Sequence, residues 1–152
     1  MTISINPIGF IQSDFADQKQ SARQPAIDGR HGALIIHDRF IDGLDGLAEF
    51  SHIIAIYHFH LQQQVLLRAR PCFDPDKDHG IFASRYPTRP NHIGMSILTL
   101  ENICGNKVYC SDIDVINNTP LLDIKPYVKQ FDRMENPKSG WYDGVDWTAV
   151  KI

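Results

Sequence analysis

Eight short β-rich runs, with no amphipathic helix of about 12 residues or more among them, limit what this chain can fold into. They are Ile8–Ile11, Gly32–Ile36, Ile53–Phe59, Gly80–Ala83, Ile93–Ile103, Val108–Cys110, Ile113–Ile116 and Leu121–Ile124. Ile53–Phe59 is apolar except for His58 and predicts a strand buried on both faces, entered by one or two helical turns over Leu44–Ser51. Ile93, Met95, Ile97 and Thr99 recur with period two, the mark of a strand. Asn117-Asn118-Thr119-Pro120 supplies turn chemistry between the last two runs. A mostly β fold, a single-sheeted β-barrel with short helical segments, accommodates so many short strands most economically, because closure leaves no edge unpaired.

At 152 residues the chain makes one domain, expected to span 1–152, and 43% hydrophobic with 22% charged residues is ordinary globular composition. No apolar run approaches about 18 residues, so no membrane association is expected. The first seven residues, Met1 to Pro7, lack the basic flank and apolar stretch of a signal peptide. Three cysteines (Cys72, Cys104 and Cys110) are an odd count at spacings that suit neither a disulfide framework nor a zinc site, which points to the cytoplasm.

Fifteen basic against 18 acidic residues give a net charge of −3, which argues against gripping nucleic acid by bulk electrostatics. Two local stretches run the other way. His79–Leu100 carries Arg85, Arg89 and two histidines without an acid, and Gln18–Ile27 carries Lys19 and Arg23 without one.

Three loops are more polar and more proline-punctuated than connection requires: Gln20–Pro25, Ser84–Gly94, and Asn117–Pro120 leading into Asp123–Tyr127. Residues before proline are driven into extended conformations, so these loops should be stiff. Paired donors on stiff loops (Arg23 with Gln24, Arg85 with Arg89 and Asn91) suit a polar small molecule, since little ordering entropy is lost on binding. His58 and His60 alternate onto one strand face, which a metal could use. No Cys, Asp or Glu beside them completes a ligand set, so the expectation is rim histidines and no metal. The motifs G-x-S-x-G, G-x-G-x-x-G and G-x-x-x-x-G-K-[ST] are absent, which leaves hydrolase elbows, dinucleotide folds and P-loops without support.

Taken in order, six stretches resemble the TrmO family, which includes TsaA, YaeB-like and VirR proteins. They are Pro7-Ile8-Gly9-Phe10-Ile11; Ala22-Arg23-Gln24-Pro25; Leu47–His52 leading to Tyr57-His58-Phe59-His60; Gly80–Arg85; Arg89-Pro90-Asn91-His92-Ile93-Gly94-Met95-Ser96; and Thr119–Tyr127. The resemblance implies a β-barrel methyltransferase that binds S-adenosylmethionine, typically a homodimer with the cofactor near the subunit interface. The implied activity methylates N6 of threonylcarbamoyladenosine beside the anticodon of tRNA. Carried over residue by residue, cofactor contacts fall on Ala22, Arg23, Gln24, His60, Leu61, Arg85, Met95, Asn117, Asn118, Thr119 and Pro120, and substrate contacts on Arg89, Asn91 and Lys125. Asp123, His60 and Tyr127 are the candidates for a base that takes the nucleophile's proton.

The chain departs from the family pattern at His92, where proline is usual, and at Asn117-Asn118, where Asp-Gly is usual. Asparagine tolerates the left-handed conformation that glycine would supply, so the turn can survive. The lost acid removes one partner for a ribose hydroxyl or for the nucleophile's proton. The C-terminal extension of bacterial TrmO enzymes is expected to be absent. A methyltransferase of the same fold acting on a small metabolite, and a non-catalytic cofactor-binding module, are the alternative functions.

Overall fold

A computed structural model describes residues 2–15 and 30–147. Six antiparallel strands close into a barrel in the order β1 (Gly9–Gln12), β2 (Gly32–Ile36), β7 (Lys107–Ser111), β6 (Ile93–Cys104), β3 (His52–His58) and β8 (Thr119–Pro126). β1 completes the ring by pairing with β2 on one side and β8 on the other, with Ile11 opposite both Leu34 and Thr119. A separate two-stranded ribbon, β4 (Arg68–Ala69) and β5 (His79–Gly80), sits in the long excursion between β3 and β6. Short 3-10 turns at Asp38–Leu44 and Leu47–Glu49 lead into β3, and one helical turn, α1 (Lys129–Asp132), follows β8.

Strand alternation fills the barrel with one side chain in two. Ile11, Leu34, Ile36, Ile53, Ala55, Leu98, Val108, Cys110 and Leu121 are buried together and form most of the core. Burial, then the charge of Glu101, pushes the Cys110 thiol up to about 12, so it behaves as a small hydrophobe.

Three strand expectations need correction. Gly80–Ala83 is not a strand: β5 stops at Gly80 and Ile81–Ala83 is a 3-10 turn whose Ile81 is buried. Ile113–Ile116 pairs with no strand and is loop; its buried residues, Ile113 and Val115, hold the loop against the core. β3 is buried on one face only, because a single-sheeted barrel has one inner face. Ile53, Ala55 and Tyr57 are inside, while Ile54, Ile56 and His58 are half-covered. In β6 the period-two signal is correct, and its apolar set faces outward: Gly94, Ser96 and Leu98 are buried, whereas Ile93, Met95 and Ile97 are 39%, 45% and 44% exposed.

Candidate functional site

One end of the barrel is formed by the C-terminal end of β3, the first residues of β6 and β8, and the loop after β7. A cleft of about 1090 Å³ opens there and continues along the outward face of β6, with the Phe82–Arg89 loop as its wall. That volume is at the upper end for small-molecule clefts.

Three polar side chains form a chain in this mouth. Ser96 Oγ donates to Asp114 Oδ1 at 3.2 Å, and Tyr57 Oη lies 3.0 Å from Ser96 Oγ. The serine hydroxyl has one proton and gives it to the carboxylate, so the tyrosine must donate to the serine. Loss of water pushes the Asp114 carboxyl up from 3.8 to about 6, opposed by the Ser96 hydrogen bond and by the charge of Arg85. Tyr57 is pushed well above the ordinary phenol range, first by burial and then by the Asp114 charge, so it keeps its proton. Gly94 makes room for this arrangement: a Cβ there would come within 2.2 Å of the Tyr57 ring.

The next carboxylate, Asp112, sits at a left-handed φ of 66° where β7 ends, and Thr99 Oγ1 donates to its Oδ2 at 2.8 Å. Alternation fixes both acids. Burying Ile113 and Val115 leaves Asp112 and Asp114 on the cleft side, where both belong to the lining.

Of the residues singled out in the sequence, His60, Leu61, Arg85, Arg89, Met95 and Thr119 come together in the lining of this cleft. Desolvation, then the charge of His58, lowers the pKa of His60, partly offset by a hydrogen bond with the His58 backbone; the ring is therefore neutral at pH 7. Arg85 is exposed, whereas Arg89 is half-buried and donates from Nη1 to the Ser84 carbonyl at 2.8 Å, bracing the loop that carries Arg85.

Other named residues lie elsewhere. Asp123 lines a different cleft, with Phe40 and Phe50; it accepts from its neighbour's amide, Ile124 N, at 3.0 Å and pairs with Lys125 at 2.8 Å. Tyr127 is outside the lining and packs edge-on against His52, at 6.3 Å between centroids. Asn91 is exposed beside the cleft without lining it. Asn117 and Asn118 form the expected turn, Asn118 at a φ of 63°. The Asn117 side chain accepts from Ser13 N at 3.1 Å, tying the turn to the end of β1, and Pro120 pairs opposite Phe10 within the sheet. Ala22, Arg23 and Gln24 lie outside the described residues.

Sequence reasoning missed Tyr57, Ser96, Thr99, Asp112 and Asp114. The signal was present in Asp112-Ile113-Asp114-Val115, where acids alternate with apolar residues beside a turn. Among the described residues no three His, Cys, Asp or Glu side chains come together to hold a metal ion.

The fold and site define a closed antiparallel barrel whose mouth gathers a desolvated carboxylate, a histidine and an arginine in one wide cleft. Comparison with known proteins gives that class its family. Residues 10–133 match the tRNA-methyltransferase O N-terminal domain, and the chain belongs to the TrmO family. It is 42% identical over 144 residues to a Pyrococcus abyssi protein described as a probable S-adenosyl-L-methionine-binding protein, covering 94% of this chain and 78% of that one. It is 36% identical over 138 residues to the human tRNA (adenine(37)-N6)-methyltransferase, covering 86% of this chain and 31% of the human one. The crystal structure of TrmO from Pseudomonas aeruginosa superposes with a TM-score of 0.77 at 34% identity, covering 92% of this chain and 62% of that chain.

Proposed function

We propose that this protein is an S-adenosylmethionine-dependent methyltransferase that methylates N6 of threonylcarbamoyladenosine beside the anticodon of tRNA. The observation that carries the reading is Asp114: a carboxyl with a pKa of about 6, hydrogen-bonded to Ser96 at the mouth of a cleft of about 1090 Å³. The activity named for the human relative points to the same substrate class.

The cleft's own chemistry fits the cofactor. Phe59, Leu61, Met95 and Ile116 offer apolar surface for an adenine and a thioether-like chain, and Arg85 offers a guanidinium to a carboxylate. His60, Leu61, Arg85, Met95 and Thr119 would hold it. When bound, S-adenosylmethionine supplies a methyl group whose bond to sulfur breaks, the electron pair leaving with sulfur, as a nucleophilic nitrogen bonds to the carbon. The protein's main task is then alignment. Asp114, ionised at pH 7, accepts the proton that the substrate nitrogen loses, and the Ser96–Tyr57 pair fixes the orientation of the carboxylate. Asp114 replaces Asp123 and Tyr127 as the base in this reading, with His60 a neutral neighbour.

Phosphate contacts are few on a chain of net charge −3, so specificity rests on the modified base, unstacked and held in the cleft with Arg89 on the substrate side. Lys125, ion-paired with Asp123 at the other cleft, and Asn91, outside the lining, drop out of the substrate contacts. Two copies form a homodimer across the outward Ile93, Met95 and Ile97 row, and a tRNA substrate sets the work in the cytoplasm. The same net charge favours a second reading, transfer to a small metabolite.

Single-turnover transfer of a labelled methyl group distinguishes the two. tRNA carrying threonylcarbamoyladenosine should be methylated and the unmodified transcript should not. No transfer to either, with S-adenosylmethionine bound normally, overturns the tRNA reading in favour of the metabolite.

A further inference from the structure

The matched family domain ends at residue 133, yet the segment after it reaches back to the cleft wall. Trp141, in the 3-10 turn Gly140–Gly144, donates from Nε1 to the Ala83 carbonyl at 2.7 Å. Its indole stacks on the His79 imidazole at 4.4 Å and 19°. His79, only 9% exposed, is fixed in turn by Asp74 Oδ2 at 2.8 Å from its Nε2. Behind it, Trp141 stacks on Tyr142 at 3.7 Å, and Phe73 packs on Trp147 at 5.3 Å. The contact falls on the peptide that enters Ser84-Arg85. The next carbonyl, Ser84 O, is held from the other side by Arg89 at 2.8 Å. Arg85 is therefore an exposed side chain on a backbone gripped at two consecutive carbonyls, with buried Ile81 and Ser84 before it and buried Thr88 after it.

We propose that Trp141 is a positioning residue: its indole N–H and ring fix the Ala83–Arg85 backbone, and so set the reach of the Arg85 guanidinium into the cleft. This rests on Arg85 being a cofactor ligand, as proposed above. An indole suits the role because it supplies a flat face for His79 and a directed donor for a carbonyl in one rigid group. The charge of Arg85 also acts on both Asp114 and Tyr57, so a displaced guanidinium would be felt at the far wall of the mouth.

The test is a double-mutant cycle on the full chain, read by calorimetric titration with S-adenosylhomocysteine. W141F keeps a ring against His79 and deletes the donor; R85A deletes the guanidinium. R85A should weaken binding about tenfold or more and W141F about three- to tenfold, each with its cooperative thermal transition retained. W141F/R85A should bind no more weakly than R85A alone, because Trp141 acts only through Arg85. Hydrogen exchange gives an independent reading: the Ser84–Tyr86 amides should exchange faster in W141F than in wild type. If R85A is weakened while W141F binds like wild type, or if the two losses multiply, Trp141 has no positioning role. If R85A itself binds normally, the cofactor reading of Arg85 has failed, and the proposal fails with it. Should W141F unfold, unchanged Ser84–Tyr86 exchange in W141L, which has no side-chain donor, overturns the proposal, and faster exchange sustains it.

Discussion

Asp114 carries a net desolvation cost, only partly offset by Ser96 and Arg85, that catalysis would explain. A carboxyl with a folded pKa of about 6, against 3.8 ordinarily, favours its protonated form in the native state. Stability from this group is therefore complete below pH 3.8, declines as pH rises through 6, and is at its worst at neutral pH, by up to about 3 kcal/mol. Asp114→Asn removes the charge and keeps an acceptor for Ser96. The variant should lose methyl transfer and melt several degrees above wild type at pH 7.5, with the gap shrinking towards pH 4.5; each kcal/mol corresponds to roughly 2–4 °C at this size. Scanning calorimetry at the two pH values decides it, and a pH-independent gap would count against a desolvated carboxylate. In wild type, kcat/KM should rise through an apparent pKa near 6, because the base must be ionised.

At the scale of elements, β6 lies against both the core and the cleft, and Gly94 is the point where the two demands meet. Gly94→Ala puts a methyl group into the Tyr57 and Phe59 rings, at 2.2 and 2.8 Å before relaxation. Overpacking of that kind costs about 1–3 kcal/mol, and it should also part Tyr57 from Ser96. Urea denaturation should show a lower midpoint; an unchanged midpoint would mean that the rings have room to move. The same strand shows what a sequence can and cannot disclose. Its period of two was legible in Ile93, Met95, Ile97 and Thr99, but period does not reveal phase, and here the side facing the core is Gly94, Ser96 and Leu98. β1, β2, β3, β6 and β7 were legible to within a residue at each end, whereas β8 extends two residues beyond Leu121–Ile124 on both sides, because Thr119 and Pro120, read as turn residues, already pair with β1. Ile113–Ile116 misled because buried alternation also serves a loop that anchors two acids. Arg85, His60 and Met95 were visible through the resemblance. Tyr57, Ser96 and Asp114 were not, since they are brought together only by the pairing of β3 with β6 and by the loop after β7.

For the whole molecule, the outward row of Ile93, Met95 and Ile97 with Phe82, the last 77% exposed, leaves apolar side chains along the cleft that a second copy would cover. Equilibrium sedimentation should return twice the chain mass of 17.3 kDa at micromolar concentration, and Ile97→Glu should return the single-chain mass while retaining its thermal transition. A wild type that sediments as one chain would remove the homodimer from the proposed function. Closure of the ring has a temporal consequence too. Ile11 has two partners, Leu34 close behind it and Thr119, 108 positions later in the chain (119 minus 11). A ribosome adding about 5–20 residues per second takes roughly 5–20 s to cover that distance. For those seconds β1 waits with one flank unpaired, so the barrel cannot be assembled stave by stave as it emerges: it stays an open sheet with an adhesive margin until its last strand is made.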